Sequence, residues 1–310
     1  ASILFAVFFA ILMRSMELGS YDNMIKNAIE RYSGFIQIQN VEYEDDRGVD
    51  NSINASSEIL EKLNKIKGIK AAAPRVESFA FASLGTQTKG VLVCGVDLER
   101  EKKLANPNNF LVRYRFTEQD ITELTKNQKL PSELKDLIKN LKNNSYCNTA
   151  GLELDLNLDK HQKKQYLPII EKATEFKSAE LIQNDKGVLV SDRLAKFLKL
   201  NIGDTLVLMG QGYHASSAAD LFPVKGFIKL PSPELDNKLV YMSLSRAQEF
   251  YGLENQASYI AINLDDNSDN NLHNKQNEIS KSLNDKNIVV KNWKEFNKVL
   301  FQQIESDSQS

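Results

Sequence analysis

Apolar positions along this chain recur with two periods, and the opening stretch follows neither. Residues 3–13 are apolar without a charge. A helical period then continues through Met16, Tyr21, Met24, Ile25, Ala28, Ile29 and Tyr32, with Arg14, Glu17, Asp22, Lys26 and Glu30 on other faces. Crossing a bilayer takes about 20 apolar residues, so eleven are a buried core helix, a signal-type segment, or the end of a membrane helix whose earlier part precedes Ala1. A signal would open on basic residues, and none stands before the run. The continuing period favours one helix passing from an apolar medium into water, with a buried N-terminal helix as the rival.

Beyond it the period shortens to two. Residues 35–39 alternate as a half-buried strand, and an acidic turn over 42–54 leads to a helix started at Ser56 or Ser57, with Ile59, Leu60, Leu63 and Ile66 on one face and Gly68 at its stop. Strands are predicted over 71–84 and 90–96, separated by Gly85-Thr86. From Asp97 to Asp185 the texture is helical: Leu134, Leu137, Ile138 and Leu141 follow Pro131 on a face expected to pack on a neighbouring sheet, and Tyr166, Ile169, Ile170, Ala173 and Phe176 form a second stripe.

The short period returns at 187–190, followed by a helix capped by Ser191, then the Gly203-Asp204 turn into a hairpin of 205–209 with 222–229. Its connection, residues 210–220, is longer than a turn needs. Strand 239–242, a helix with a Ser245/Gln248 capping box and Gly252 stop, strand 259–264, helix 271–283, strand 288–290 and an amphipathic helix 293–304 complete the chain. That last helix aligns Phe296, Val299, Leu300 and Ile304.

The chain has 310 residues, 42% hydrophobic and 26% charged, which is more than one core usually organises, so two lobes are expected. Lys plus Arg number 39 against 41 Asp plus Glu, without a basic block, which argues against nucleic acid as a partner. Two cysteines, Cys94 and Cys147, exclude a disulfide scaffold and leave a single pairing open.

Catalytic chemistry finds little support. His161, His214 and His273 are far apart with no H-x-x-x-H or C-x-x-C spacing, and neither G-x-S-x-G nor G-x-x-x-x-G-K-[ST] occurs. No enzymatic role, cofactor or metal is therefore expected of this chain. Residues 265–271 resemble a calcium loop, but Asn270 stands where glycine must turn and Gln276 where a bidentate Glu must close the site, so a solvated loop is expected.

The order of these signals carries a resemblance. Tyr32-Ser33-Gly34-Phe35-Ile36-Gln37-Ile38, then Val93-Cys94-Gly95-Val96-Asp97, Gly187-Val188-Leu189-Val190-Ser191, Leu200-Asn201-Ile202-Gly203-Asp204-Thr205-Leu206, Phe222-Pro223-Val224-Lys225-Gly226-Phe227, Leu239-Val240-Tyr241-Met242 and Trp293-Lys294-Glu295-Phe296 follow an apolar start. Together they resemble the extracytoplasmic domain of MacB-superfamily ABC transporter permeases, most of all lipoprotein-releasing subunits of the LolC/LolE type. Residues 98–184 are longer and more helical than that family's pattern.

The resemblance implies an α+β fold of two lobes facing the periplasm from a bacterial inner membrane: a discontinuous βαβ-type Porter lobe with an inserted, mainly β Sabre lobe. It divides the chain into a membrane helix end and stalk (1–32), first Porter half (33–97), Sabre lobe (98–230) with a helical insertion (117–180), second Porter half (231–292), and a stalk to a second membrane helix (293–310). It further implies a cytoplasmic ATPase subunit, a second permease subunit, and a lipoprotein cargo or periplasmic carrier as partners. Arg14, Tyr21, Trp293, Phe296 and Leu300 are the stalk candidates. Gln211, Gly212, Tyr213, His214, Asp220 and Leu221 are candidates for a partner-binding hook, against the alternative of a plain connection. MacB-like efflux, FtsX-like regulation, and a membrane-anchored binding or sensor module stand as rival functions.

Overall fold

The computed structural model describes residues 2–308. Ala1, Gln309 and Ser310, at the two ends of the expected stalks, lie outside the described residues, as do the side chains of Ile3, Glu17 and Asp22. The opening run is helical as α1 (Ser2–Ile25) and continues as a π-helical segment, Lys26–Ser33. By length and composition, Leu4–Ser33 is long and apolar enough to cross a membrane, and Leu4, Phe5, Phe8, Phe9, Ile11 and Met13 are exposed.

The chain then enters β1 (Ile36–Asn40) and β2 (Ile53–Asn54), α2 (Ser57–Lys65), and the long hairpin of β3 (Ile69–Leu84) and β4 (Gln87–Val96). After α3 (Leu98–Glu101) comes the insertion: β5 (Tyr114–Arg115), α4 (Glu118–Lys126), α5 (Ser132–Asn140), β6 (Ser145–Tyr146), α6 (Thr149–Asp155) and α7 (Lys160–Thr174). β7 (Val188–Ser191), α8 (Asp192–Leu198), β8 (Thr205–Gln211), β9 (Ser217–Ile228), β10 (Leu239–Ser243) and α9 (Leu244–Tyr251) follow. The chain closes with β11 (Gln256–Ala257), β12 (Tyr259–Leu264), α10 (Asp269–Leu283), β13 (Ile288–Asn292), α11 (Trp293–Phe296) and α12 (Lys298–Ser308). The fold is α+β, built on one large sheet.

That sheet runs β13-β1-β12-β3-β4-β10-β7-β9-β8, and β8 pairs a second time with β3. The long β3 makes this geometry. Its first half pairs with β12, Arg75 opposite Tyr259, while its far half pairs with β8, Phe81 opposite Met209. Strands β3, β4, β10, β7, β9 and β8 therefore close into a ring, and β13, β1 and β12 extend from it as an open wing. Burial follows the two environments. Residues 71–78 of β3 are buried without alternation because both faces of the sheet are covered there, whereas from Phe79 onward exposed and buried positions alternate.

Separate apolar clusters fill these spaces. Inside the ring lie Val76, Ala80, Val93, Leu206, Leu208, Phe222, Val240, Met242, Ala247 and Tyr251, so this core draws on both sides of position 230. Under the wing, Ile29, Ile36, Ile38, Leu63, Ile262 and Ile279 pack with Trp293 and Phe296. The insertion differs from the expectation that the stripe at 134–141 covers a sheet. Phe116, Leu124, Leu134, Ile138, Leu152 and Ile170 pack on one another, because four short helices close a core of their own.

Helix starts stand near the expected residues, but the serine hydroxyls work elsewhere. Ser56 and Ser191 occupy first-cap positions without a side-chain bond to the helix, and Ser191 Oγ instead accepts from the Leu239 N–H at 3.2 Å. The Ser245/Gln248 capping box does not form. The helix begins one residue after Ser243, so Ser245 lies inside its first turn and donates to Asn184 at 3.0 Å.

Close approach of α9 to β4 depends on Gly95, where an added Cβ would stand 2.1 Å from the Ala247 Cβ. Gly95→Ala is expected to cost about 1–3 kcal/mol through overpacking. Adding Ala247→Gly to that variant recovers part of the loss, measured by urea unfolding of the detergent-solubilised protein.

Candidate functional site at the junction of helix and sheet

The junction begins where the helical backbone widens. Gly34 N–H donates to the Ile29 carbonyl at 2.8 Å, a five-residue step, and Ser33 Oγ donates to the Ala28 carbonyl at 3.0 Å. Gly34 then turns the chain with φ +77, and a Cβ there would meet the Ile262 carbonyl at 3.1 Å, so the residue must be glycine for the helix to run straight into the sheet. Phe35 bonds on both sides at once: its N–H donates to Ile262 and its carbonyl accepts from Trp293, each at 2.9 Å. The end of the first helix and the start of the last are thereby stitched to one residue.

A buried ionic group holds this corner against β3. Arg75 and Glu101 are both 0% exposed and form a bidentate pair, Nε to Oε1 at 2.7 Å and Nη2 to Oε2 at 2.9 Å. The remaining arm of Arg75 donates to the carbonyl of Tyr32, the next-to-last residue of the π-helical segment. Glu77, two residues along the strand, accepts from the phenols of Tyr32 at 2.6 Å and Tyr259 at 2.9 Å. Charges this dry survive only when their polar atoms are engaged, and here each nitrogen of the Arg75 guanidinium has a partner.

The far end differs from the expected single helix. Asn292 caps α11 in a capping box with Glu295, but Asn297 leaves the helical region at φ −114, ψ 49, and α12 starts afresh at Lys298. Trp293 and Phe296 are buried beneath the wing, because the first turn completes that core before the chain bends away. Leu300, Phe301 and Ile304 are half-buried against the same cluster as Ile25, Ala28 and Ile29. Of the stalk candidates, then, Trp293, Phe296 and Leu300 meet in one cluster with the end of the first helix. Tyr21 is buried and Arg14 is exposed on α1.

The expected hook over 210–221 is mostly paired strand. β8 continues to Gln211, opposite Ser217, so the connection is only residues 212–216. The alternating small residues Ser217, Ala218 and Ala219 extend the ladder rather than interrupt it. The tip is folded down. His214 N–H donates to Asp50 Oδ1 at 2.6 Å, Gly212 N–H to the Ser216 carbonyl at 2.7 Å, and Tyr213 is half-buried against the ring core. His214 and Ala215 both take positive φ, 53 and 56. Asp220 pairs with Arg246, whose guanidinium lies 4.7 Å from the Phe222 ring centroid, while Leu221 is exposed. Beside Leu221 an outward face of Phe79, Phe81 and Met209 is also exposed, which the sequence reading passed over. Its signal was the alternation at 79–83; that Met209 joins it needed the register.

Other candidate chemistry stays dispersed. No group of three or more His, Cys, Asp or Glu that could hold a metal occurs among the described residues. Asp266 spends its carboxylate on the Ser268 N–H and hydroxyl at 2.9 and 3.0 Å, the turn that opens α10. Cys94 and Cys147 are unpaired, the first buried in a sheet strand and the second donating to the Phe110 carbonyl at 3.2 Å.

No family profile matches this chain, and no curated protein matches it. Among solved structures it is similar to the periplasmic region of MacB from Actinobacillus actinomycetemcomitans, at 12% identity and TM-score 0.45, over 91% of this chain and 95% of that one. It is also similar to the extracellular domain of the noncanonic ABC-type transporter YknZ from Gram-positive bacteria, at 11% identity and TM-score 0.43, over 84% and 100%. A domain of a putative permease from Porphyromonas gingivalis gives 10% identity and TM-score 0.37, over 84% and 87%.

Two outcomes follow from the buried corner. Arg75→Met alone strands Glu101 and is expected to cost about 3–5 kcal/mol, whereas Arg75→Met with Glu101→Leu costs less than either single change, read by chemical denaturation. Burial and then Glu77 hold the Tyr259 phenol well above the usual tyrosine value, and burial and then Cys94 do so for Tyr241. Both therefore favour the protonated folded form: their stabilisation is complete below about pH 10 and drains away as pH rises beyond it. Tyr259→Phe makes that alkaline decline shallower, measured as unfolding free energy against pH.

Proposed function

We propose that this chain is the extracytoplasmic domain of an ABC-type permease and that it carries motion from the membrane outward. The observation that supports it most is the convergence of both ends, the membrane-type helix through Ile29 and the closing helices through Trp293 and Phe296, on one cluster beneath the wing. Rigid levers meeting at one packed point can pass a tilt to the whole sheet without any catalytic group. The order of motifs around that frame, resembling MacB-superfamily permeases, supports the same reading. These residues carry no phosphate-binding loop of the Walker type, so the reading assigns ATP hydrolysis to an ATPase outside them, proposed as a separate subunit.

The cargo is proposed to be a lipoprotein or another hydrophobic molecule, delivered at the outer face of a bacterial inner membrane. The exposed Phe79, Phe81, Met209 and Leu221 support contact with an apolar partner. A carrier-catching role for residues 212–216 requires that the tip first leave Asp50.

Two glycines inserted after Asn23 separate the apolar helix from the junction. In the full-length protein with its ATPase, ATP hydrolysis is expected to stay within about twofold while export in a complementation assay is lost, because the lever no longer transmits strain. Undiminished export, or a gene without an apolar segment of about 20 residues following Ser310, overturns the reading.

A further inference from the structure

The junction encloses a cavity of about 280 Å³ that the buried ionic group does not fill. Tyr32, Gln39, Tyr43, Glu77, Arg47 and Asn297 are among the residues that line it, so its walls come from the end of the first helix, the wing and the break in the last helix. Two of these groups are anomalous. Gln39 is 2% exposed and Tyr43 3%, yet the Gln39 amide nitrogen and the Tyr43 hydroxyl have no hydrogen-bond partner. A buried polar group left unpaired costs about 1–3 kcal/mol, so two facing one cavity call for an occupant.

The remaining inventory identifies its chemistry. Every carboxylate on the walls is already engaged: Glu77 by two phenols, Glu44 by Lys291 and Lys298, and Glu234 by Lys238. Arg47 stands exposed on the lining with no ion pair among the described residues. Its sequence neighbours Asp45 and Asp46 face an adjoining depression instead. What is unmet is a buried amide N–H₂ and a buried hydroxyl, and beside them stands the exposed guanidinium of Arg47; all three can donate. We infer that the junction is a binding site for a small oxyanion, a carboxylate or phosphate compound of metabolite size, whose charge meets Arg47 and whose other oxygens accept from Gln39 and Tyr43. Its volume lies just below the usual range for small-molecule sites, which limits the occupant to a few heavy atoms. Bound there, it would bridge the two helix ends. The inference does not depend on the permease reading, because its test is binding.

The test titrates the detergent-solubilised full chain with sodium succinate, inorganic phosphate, and glycerol as an uncharged control, against sodium chloride of equal ionic strength, by calorimetry and thermal unfolding. One anion is expected to bind saturably and raise the unfolding temperature, succinate alone assigning a carboxylate and phosphate alone a phosphoryl group. Arg47→Ala weakens it about tenfold or more. Gln39→Leu and Tyr43→Phe abolish the response yet leave the unliganded protein as stable as the parent or more so, since each removes an unpaired buried group. Absence of saturable binding by both anions, equal binding of glycerol, or parental affinity in Gln39→Leu and Tyr43→Phe would overturn the site and leave ordered water as its occupant.

Discussion

Removing Arg75 from water is the constraint that the rest of this structure answers to. A guanidinium with no exposed surface needs a carboxylate and a partner for its remaining nitrogen, and Arg75 finds them in Glu101 and in the backbone of Tyr32. These partners belong to three separate pieces of chain: the end of the first helix, a middle strand, and a helix that leads into the insertion. One buried charge thus ties the three together, and because its desolvation offsets much of its Coulombic gain, losing either partner costs more than the pair contributes.

The second constraint is the length of β3. At sixteen residues it is far longer than a typical strand, and it belongs to the wing at one end and to the ring at the other. A force applied to Tyr32 reaches Arg75 on the same strand that, five residues later, pairs with β8. Ring and wing therefore share a backbone ladder rather than a linker. The insertion, closed on its own core, is the part whose packing is independent of this ladder.

Local signals were legible and distant ones were not. The strands over 71–84 and 90–96, the Gly85 turn and the stop at Gly252 are written in neighbouring residues, and they stand as read. Closure of the ring depends on residues near 81 meeting residues near 209, which no local period encodes. The tip at 212–216 looked like a free loop because its anchor, Asp50, is remote in sequence. The break at Asn297 is likewise silent, since asparagine disturbs an amphipathic stripe little, and only the backbone turn at that residue divides the stripe between two helices. At the junction, Phe296 could be picked out from its place in the closing stripe and Trp293 from the motif that opens that helix. Arg75 and Glu101 could not, because a charge in a strand-like run reads as an exposed position until its partner is known.

Closing β8 onto β3 also decides the manner in which the ring can be recognised. A strand with an open edge invites another chain to extend the sheet through main-chain bonds, largely regardless of sequence. All six ring strands have neighbours on both sides, so a visiting chain finds no main-chain row to zip along and must read side chains, face on. Discrimination between visitors then rests on a few aromatic and aliphatic contacts that can change by single substitutions, leaving the scaffold beneath them untouched.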